Sequence, residues 1–489
     1  MKRFIYLLPL VALTLNSCQQ QVSVPECPVV TVKGGQVQGV PAELDGVFVY
    51  RGIPYAAPPL GDLRWKEPQP VQPWEGVLLA DKFGHPGYQS VHYPGGYFTE
   101  WGYGDEAPYS EDCLYLNVWT KAAGQTSANL PVALWIHGGG YREGWGSEPE
   151  FDGQEWAAKD VVLVSINYRL GVFGFLSHPE LSAESPHGVS GNYGILDQIE
   201  SLKWIKENIT QFGGDPNNVT VFGQSAGGGS VRTICESPLA RGLFHKAIIM
   251  SAGGLAPADQ PARMNMPLAT AAELNKKILD WAGIDNLEKM RKAPTEVMHT
   301  VADIYNRVHG QTGMRMFYAP LIDGYVSNES FDAAAHNGNL ADVPYMIGYT
   351  LNDLGAMGNG IADFCFNRDS IGQQSWAYEF CRPLPTDGRE NVLKGAFHSS
   401  DLWYVFKSLQ HCWRPWAQGD WDLSERMLTA WTNFAKTSNP NGEGETVWSA
   451  CTRQNPNFMI FKLDEADQDA SAMGAPVVGE SQAWANANK

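Results

Sequence analysis

The sequence has few charged residues, and it lacks an excess of positive charge. Only 18% of its 489 residues are charged, and 53 acidic residues against 35 basic ones give a net charge of −18. Nucleic acids and anionic membrane surfaces attract basic proteins, so neither is an expected partner. Hydrophobic residues at 44% and aromatic residues at 11% exclude a disordered chain and a coiled coil. We therefore expect a globular fold with a large core.

Repeats, low-complexity tracts and linkers rich in Pro, Gly and Ser are also missing. Without such boundaries, one domain over residues 29–489 is the simplest organisation. The eight cysteines include no paired CxxC, so we expect no metal site, and no motif indicates a cofactor. Cys365 with Cys381 is the candidate disulfide, although spacing does not determine connectivity. No feature indicates the oligomeric state.

One short apolar run, residues 4–15, stands at the N-terminus behind two basic residues. It is too short to cross a bilayer permanently, and the tetrapeptide LNSC that ends at Cys18 is typical of a lipoprotein cleavage site. We predict a signal peptide over 1–18, a tether over 19–28 and an acylated Cys18 as the only membrane attachment, in a bacterial cell envelope. Asn16 is unusual at such a site, so secretion without a lipid remains open.

Runs of apolar, β-branched residues alternate with helical periodicity, which predicts an α/β fold with a mostly parallel sheet. Between the runs Val161–Ile166 and Val219–Phe222, apolar residues recur every three or four positions from Ile195 to Ile209, which predicts a helix. The predicted strands are Val132–Ile136, Val161–Ile166, Val219–Phe222, Ala247–Met250, Tyr345–Ile347 and Phe458–Phe461.

The motif Gly223-Gln224-Ser225-Ala226-Gly227 follows the third predicted strand. A strand that turns sharply into a helix of small residues exposes the central serine beside free backbone N–H groups. Ser225 is therefore a candidate nucleophile. A second glycine run, His137 to Gly140, follows the first predicted strand, and its N–H groups can face an oxyanion without obstruction by a Cβ atom.

A nucleophilic serine needs a base and an orienting acid. His398 lies after Ser225 in the chain, in the order serine, acid, histidine that this architecture uses, but position alone does not separate it from His411. Asp353 follows a predicted strand by a short loop, whereas Asp342 and Asp363 remain possible on chain order alone.

Longer motifs resemble the type-B carboxylesterase (cholinesterase-like) family of α/β hydrolases. The likeness runs from Val29 to Asp464 and includes VYRGIPYAAPPLGDLRWKEPQPVQPW, SEDCLYLNVW, NYRLGVFGFL and the long block that ends in NNVTVFGQSAGG. The resemblance implies a twisted, mostly parallel sheet flanked by helices, with an active site at the carboxyl ends of the strands. It implies hydrolysis of small-molecule carboxylic esters without a cofactor.

By the same resemblance, Ser225 is the nucleophile, His398 is the base, and Asp353 stands where the family usually has glutamate. The implied acyl-enzyme forms on Ser225. Backbone N–H groups that match the family's oxyanion hole belong to Gly139, Gly140 and Ala226. Residues that match its internal salt bridges are Arg51 with Glu111 and Arg169 with Asp197.

The sequence departs from the family pattern at three places. Gln224 replaces the glutamate that commonly precedes the nucleophile, which argues against selectivity for cationic alcohols. Gly87 stands where many relatives carry a cysteine, so Cys113 is expected to be free or differently paired. Only 45 positions separate Asp353 from His398, so part of the usual substrate-site wall must be rebuilt. An amidase or carbamate hydrolase, and a non-catalytic neuroligin-like binding protein, remain the alternative functions.

We predict that Cys18→Ser releases the protein from the membrane. The wild-type cysteine would carry a diacylglyceryl group and an N-acyl chain, which anchor stably where a single chain is marginal. The measurement is the partitioning of wild type and variant between membrane and soluble fractions of the producing cell. Equal membrane partitioning of both would refute the lipid anchor.

Overall fold

The computed structural model describes residues 26–90, 96–101, 108–256, 266–310, 318–442, 447–463 and 477–479. Cys18, the predicted signal peptide and most of the predicted tether lie outside these ranges. No helix within them combines the length and the apolar composition needed to cross a membrane.

Strands and helices alternate through most of the described chain. The strands are β1 Val29–Val32, β2 Gly35–Gln38, β3 Val40–Pro41, β4 Phe48–Pro54, β5 Val77–Leu79, β6 Tyr115–Thr120, β7 Leu130–Ile136, β8 Val162–Ile166, β9 Gly214–Gln224, β10 Lys246–Met250, β11 Met266–Pro267, β12 Leu321–Ile322, β13 Tyr345–Thr350, β14 Ser375–Phe380, β15 Phe458–Phe461 and β16 Val477–Gly479. The helices are α1 Tyr97–Trp101, α2 Gln154–Ala158, α3 Gly171–Phe175, α4 Pro179–Glu184, α5 Tyr193–Asn208, α6 Ala226–Glu236, α7 Leu268–Trp281, α8 Leu287–Lys292, α9 Thr295–Val308, α10 Phe331–Asn337, α11 Gly358–Ser370, α12 Leu402–Val405 and α13 Gln418–Thr437.

A sheet of 11 strands forms the centre, in the order β16-β15-β14-β13-β10-β9-β7-β8-β6-β4-β3. Pairing is parallel from β8 through β15 and antiparallel at both ends of the sheet. All six predicted strands and the helix that begins near Ile195 are present, so the predicted α/β-hydrolase fold is confirmed. Parallel strands are covered on both faces, which is why they read as continuous apolar runs.

Each face of the sheet carries its own hydrophobic cluster. Alternation along β9 places Val221 in one cluster and Phe222 in the other, because successive side chains of a strand point to opposite faces. The first cluster includes Ile199 of α5, and the second includes Trp156 of α2 and Trp431 of α13. The sheet is thus held between two layers of helices, which fixes the ends of its strands in space.

The predicted Cys365–Cys381 disulfide is wrong. All seven cysteines within the described ranges are free. Cys365 lies on α11, and burial together with the neighbouring thiol of Cys451 raises its pKa well above the usual range. Cys381 instead continues from β14, where its N–H donates to the Phe461 carbonyl. Cys113 is free as well, and a Cβ atom at Gly87 would lie 3.1 Å from the Leu170 side chain.

The predicted pairing of Arg51 with Glu111 is also wrong. Glu111 pairs with Arg64, whose Nε and Nη2 atoms lie 2.7 and 2.5 Å from its two carboxylate oxygens. Strand β4 has a register shift between Tyr50 and Ile53, and Arg51 lies within it. The Arg51 side chain donates to the Asp81 carbonyl and stacks on an aromatic ring instead of contacting Glu111.

Arg169 and Asp197 pair in the interior. The Arg169 Nε and Nη2 atoms lie 2.8 and 2.6 Å from the two Asp197 oxygens, and both side chains are at most 2% exposed. Arg169 also donates to the Lys66 carbonyl, so the pair joins the loop after β8 to helix α5 and to the N-terminal segment. Removing either partner would leave a buried charge without its counterpart, which is strongly destabilising.

Glu150, a buried carboxyl group, precedes Phe151 of the second cluster in the chain. It is fully buried, and neither carboxyl oxygen has a partner with good hydrogen-bond geometry among the described residues, although its own N–H and the Glu148 carboxyl lie close to it. Burial, followed by the nearby carboxyls of Glu148 and Glu100, raises its pKa well above the usual range. The folded protein therefore retains a proton that the unfolded chain releases above pH about 4.3.

We predict that Glu150→Leu stabilises the fold, and that the gain grows as pH rises. Stability from a group with a raised folded pKa is complete below the unfolded pKa and is lost at higher pH, so the wild type loses stability that the variant keeps. We expect a gain of about 1–3 kcal/mol near pH 8 and a smaller one at pH 5. Thermal unfolding from pH 5 to 8 measures it, with the exposed Glu75→Leu as the control. A Glu150→Leu variant that is less stable at every pH contradicts the prediction.

Candidate active site

Ser225 occupies the turn between β9 and α6. Its backbone has φ 56° and ψ −122°, a conformation that is costly for a residue with a Cβ atom. The Ser225 N–H donates to the Met250 carbonyl at 2.9 Å, which ties the turn to the end of β10. The side chain consequently stands at the carboxyl edge of the sheet, at the start of a helix.

Close packing holds this turn in place. A Cβ atom at Gly227 would lie 2.0 Å from the Ile136 carbonyl oxygen, so the first turn of α6 rests directly on the end of β7. A Cβ atom at Gly138 would lie 3.2 Å from Ser225 Cβ, which places the glycine run against the serine. Glycine is required at these positions because of space rather than flexibility.

The glycine run after β7 forms a tight loop. Gly139 has φ +93°, and its carbonyl accepts the N–H groups of Arg142 and Glu143 at 3.0 and 3.1 Å. The buried side chain of Gln89 closes the loop, because its Oε1 accepts the Gly144 N–H and its Nε2 donates to the Gly144 carbonyl. Sequence reasoning missed Gln89, since nothing near it in the chain indicates this contact.

A short contact joins the side chains of His398 and Asp353. His398 Nδ1 lies 2.5 Å from Asp353 Oδ1, and their side chains are 8% and 0% exposed. Asp353 also accepts the Leu354 N–H at 2.7 Å and both donors of Thr350 at 3.2 Å. Burial opposes ionisation, but the hydrogen bond and charge of His398, together with the other donors to the carboxylate, hold the pKa of the Asp353 carboxyl below its usual range.

The other candidates for base and acid lie elsewhere. His411 is partly exposed and faces Asp152 at 3.4 Å. The Asp342 side chain is 78% exposed beside Arg368, and Asp363 is exposed on α11. Of the alternatives that the sequence leaves open, the structure brings only Asp353 and His398 together.

Gln224 connects the serine turn to the histidine. Its Nε2 atom lies 3.2 Å from His398 Nε2, and its side chain is buried. With the Nδ1–H of His398 directed at Asp353, the other ring nitrogen is free to accept the amide N–H of Gln224. The residue that departs from the family pattern is thus in direct contact with the candidate base.

Asp401 is a second buried carboxyl beside this pair, and sequence reasoning missed it. Tyr378 Oη donates to its Oδ2 at 3.1 Å, while Oδ1 has no hydrogen-bond partner among the described residues. Burial, followed by the charge of Asp353, raises the pKa of Asp401 to about 7. The only available signal was its place three residues after His398.

No group of three His, Cys, Asp or Glu side chains in the described ranges is arranged to hold a metal ion. What the site contains is a serine at a strained turn, backbone donors on two sides, and a histidine bound to a buried carboxylate. These groups are of the kinds that acyl transfer through a serine uses, and Gln224, the residue before the serine, contacts the histidine.

Comparison with known families agrees with this chemistry. The model of the carboxylesterase family matches residues 26–364 and 356–475. Para-nitrobenzyl esterase of Bacillus subtilis (strain 168) is 33% identical over 488 residues, a match that covers 88% of this chain and 94% of that protein. Fumonisin B1 esterase of Sphingopyxis macrogoltabida is 35% identical, and the match covers 73% of this chain but only 63% of that relative.

Solved structures give the same result. A structure of PNB esterase superposes with a TM-score of 0.76 at 30% identity, covering 92% of this chain and 96% of that one. A carboxylesterase of Geobacillus stearothermophilus superposes with a TM-score of 0.75 at 29% identity, covering 93% and 99%.

Proposed function

The chain belongs to the carboxylesterase family, and we propose that it hydrolyses carboxylic esters through an acyl-enzyme on Ser225. His398 is the general base and Asp353 its orienting acid. Backbone N–H groups of Gly139, Gly140 and Ala226 bind the oxyanion. The observation that carries the proposal is the 2.5 Å contact between His398 Nδ1 and Asp353 Oδ1 beside the strained serine turn.

In the first half of the reaction, Ser225 Oγ attacks the ester carbonyl while its proton passes to His398 Nε2. The developing negative charge rests on the carbonyl oxygen, where fixed donors stabilise it at no cost of reorganisation. The bond to the alcohol oxygen then breaks, and the imidazolium returns the proton to that oxygen. Water then attacks the acyl-enzyme while its proton passes to His398. The acid is released, and His398 returns the proton to Ser225.

The contact of Gln224 with His398 affects the first step. An amide N–H that binds the His398 Nε2 lone pair competes with the Ser225 hydroxyl for the same acceptor. The catalytic cycle therefore includes an exchange of donors at Nε2. The amide is neutral, so we propose substrates with uncharged alcohols rather than cationic ones.

Turnover assays distinguish this function from two others. An amidase or carbamate hydrolase would use the same three residues, and turnover of a matched ester and anilide distinguishes it. A non-catalytic binding protein would lack turnover altogether. We also propose that the enzyme acts outside the cytoplasm as an envelope lipoprotein, for which the support is the N-terminal motif that ends at Cys18.

We predict that Ser225→Ala abolishes ester hydrolysis and that Asp353→Asn lowers kcat by up to about 10⁴-fold. The amide in the second variant would favour the wrong tautomer of His398. Rates on short-chain esters are compared, and labelling by a fluorophosphonate is mapped by peptide mass spectrometry. Matched controls are Asp342→Asn and Asp363→Asn, which we expect to remain within threefold of wild type. Labelling away from Ser225, or a larger loss in either control, would place the site elsewhere.

We predict that Asp401 adds a titration near pH 7 to kcat. Above that pH its negative charge stabilises the imidazolium formed in the transition state, and below it the neutral acid does not. Asp401→Asn should match wild type below pH 6 and fall roughly three- to tenfold behind it above pH 8, as one added charge at a screened site suggests. The measurement is the ratio of the two kcat values from pH 5 to 9. A constant ratio would assign Asp401 a purely structural role.

A further inference from the structure

We propose that Tyr97 limits the size of the ester's alcohol group, and that a buried ion pair between Glu100 and Arg414 holds it in that position. The inference rests on the proposed function and adds a specificity-determining residue to it. Tyr97 lies on helix α1, a short element that the sequence patterns do not predict.

Helix α1 brings Tyr97 against the candidate base. The ring of Tyr97 lies edge-on to the His398 ring, with centroids 6.5 Å apart, and 6.3 Å from the ring of Phe397. Burial, followed by the charge of Asp353, raises the pKa of Tyr97 to about 12. Its aromatic ring therefore forms part of the wall on the histidine side of the site.

Chemistry identifies which half of the substrate meets this wall. His398 must give its proton to the oxygen of the leaving alcohol, so that oxygen has to come within hydrogen-bond distance of the imidazole. The alcohol consequently extends along the histidine side, whereas the acyl group remains bonded to Ser225. A side chain that packs on His398 thus constrains the alcohol in preference to the acid.

A buried ion pair fixes the helix that carries Tyr97. Arg414 Nε and Nη2 lie 2.7 and 2.5 Å from the two oxygens of Glu100, and both side chains are at most 1% exposed. Such a bidentate pair sets position and direction together. Glu100 lies one turn after Tyr97 on α1, so the pair determines where the tyrosine ring stands.

Arg414 also connects this helix to the rest of the wall. Its remaining N–H groups donate to the carbonyls of Pro385 at 2.7 Å and Leu393 at 2.9 Å, and its guanidinium lies 5.3 Å from the Phe397 ring centroid. The same side chain thus positions α1, the segment after β14 and the residue that precedes His398. Arg414 and Glu100 are positioning residues, and Tyr97 is the group that touches substrate.

The test compares two ester series in purified full-length protein. One series keeps the acetyl group and enlarges the alcohol from ethyl to isobutyl, benzyl and naphthylmethyl; the other keeps ethanol and enlarges the acid from acetyl to benzoyl. We expect Tyr97→Ala to raise the naphthylmethyl-to-ethyl ratio of kcat/KM at least tenfold, with less than a threefold change across the acid series. Tyr97→Phe should retain the wild-type ratio.

Glu100→Gln and Arg414→Gln should each raise the naphthylmethyl-to-ethyl ratio of kcat/KM, as Tyr97→Ala does. The matched control is Arg64→Gln, which breaks another buried bidentate pair, with Glu111, and should lower Tm without changing the ratio. If Arg414→Gln does not fold, Glu100→Gln and Tyr97→Ala still test the inference. Equal changes in both series, or a shift in the acid series alone, would overturn the inference while ester hydrolysis by wild type stands. Absence of both turnover and Ser225 labelling in wild type would instead refute the proposed function.

Discussion

The contact between the first turn of α6 and the end of β7 is the constraint on which the site depends. No side chain fits between Gly227 and the Ile136 carbonyl, so the helix starts where the neighbouring strand stops. Next to that contact, the Ser225 turn has its strained conformation and the glycine run packs against it. In the proposed reaction, the N–H groups of both loops bind one reacting oxygen, and the backbone rather than a mobile side chain sets their positions.

The sequence pattern was enough to predict the elements that depend on neighbouring residues, which are the buried strands and the turn around Ser225. Buried parallel strands read as apolar runs, and the sequence around Ser225 names a strand, a turn and a helix in order. Asp353 was predicted with an alternative on each side of it. The structure separates them because Asp353 alone is buried against His398, as shown by an ion pair that joins residues 45 positions apart.

The errors came from contacts between distant segments. Glu111 takes Arg64 rather than Arg51, and the thiol of Cys365 faces Cys451, which is far along the chain. Gln89 and Asp401 were missed for the same reason, since their partners come from other elements. Choosing among several arginines or cysteines requires the paths of the loops, and neither residue type nor spacing contains that information.

The backbone angles of Ser225 restrict which side chains the position can accept. At φ 56° a β-branched residue is a severe steric outlier, so threonine is excluded although it carries the same hydroxyl group. Cysteine has an unbranched Cβ and keeps the geometry while changing the nucleophile from oxygen to sulfur. A substitution of Ser225 therefore either replaces the hydroxyl with a thiol or removes the nucleophile. The fold accepts no other residue that keeps a hydroxyl group on Cβ.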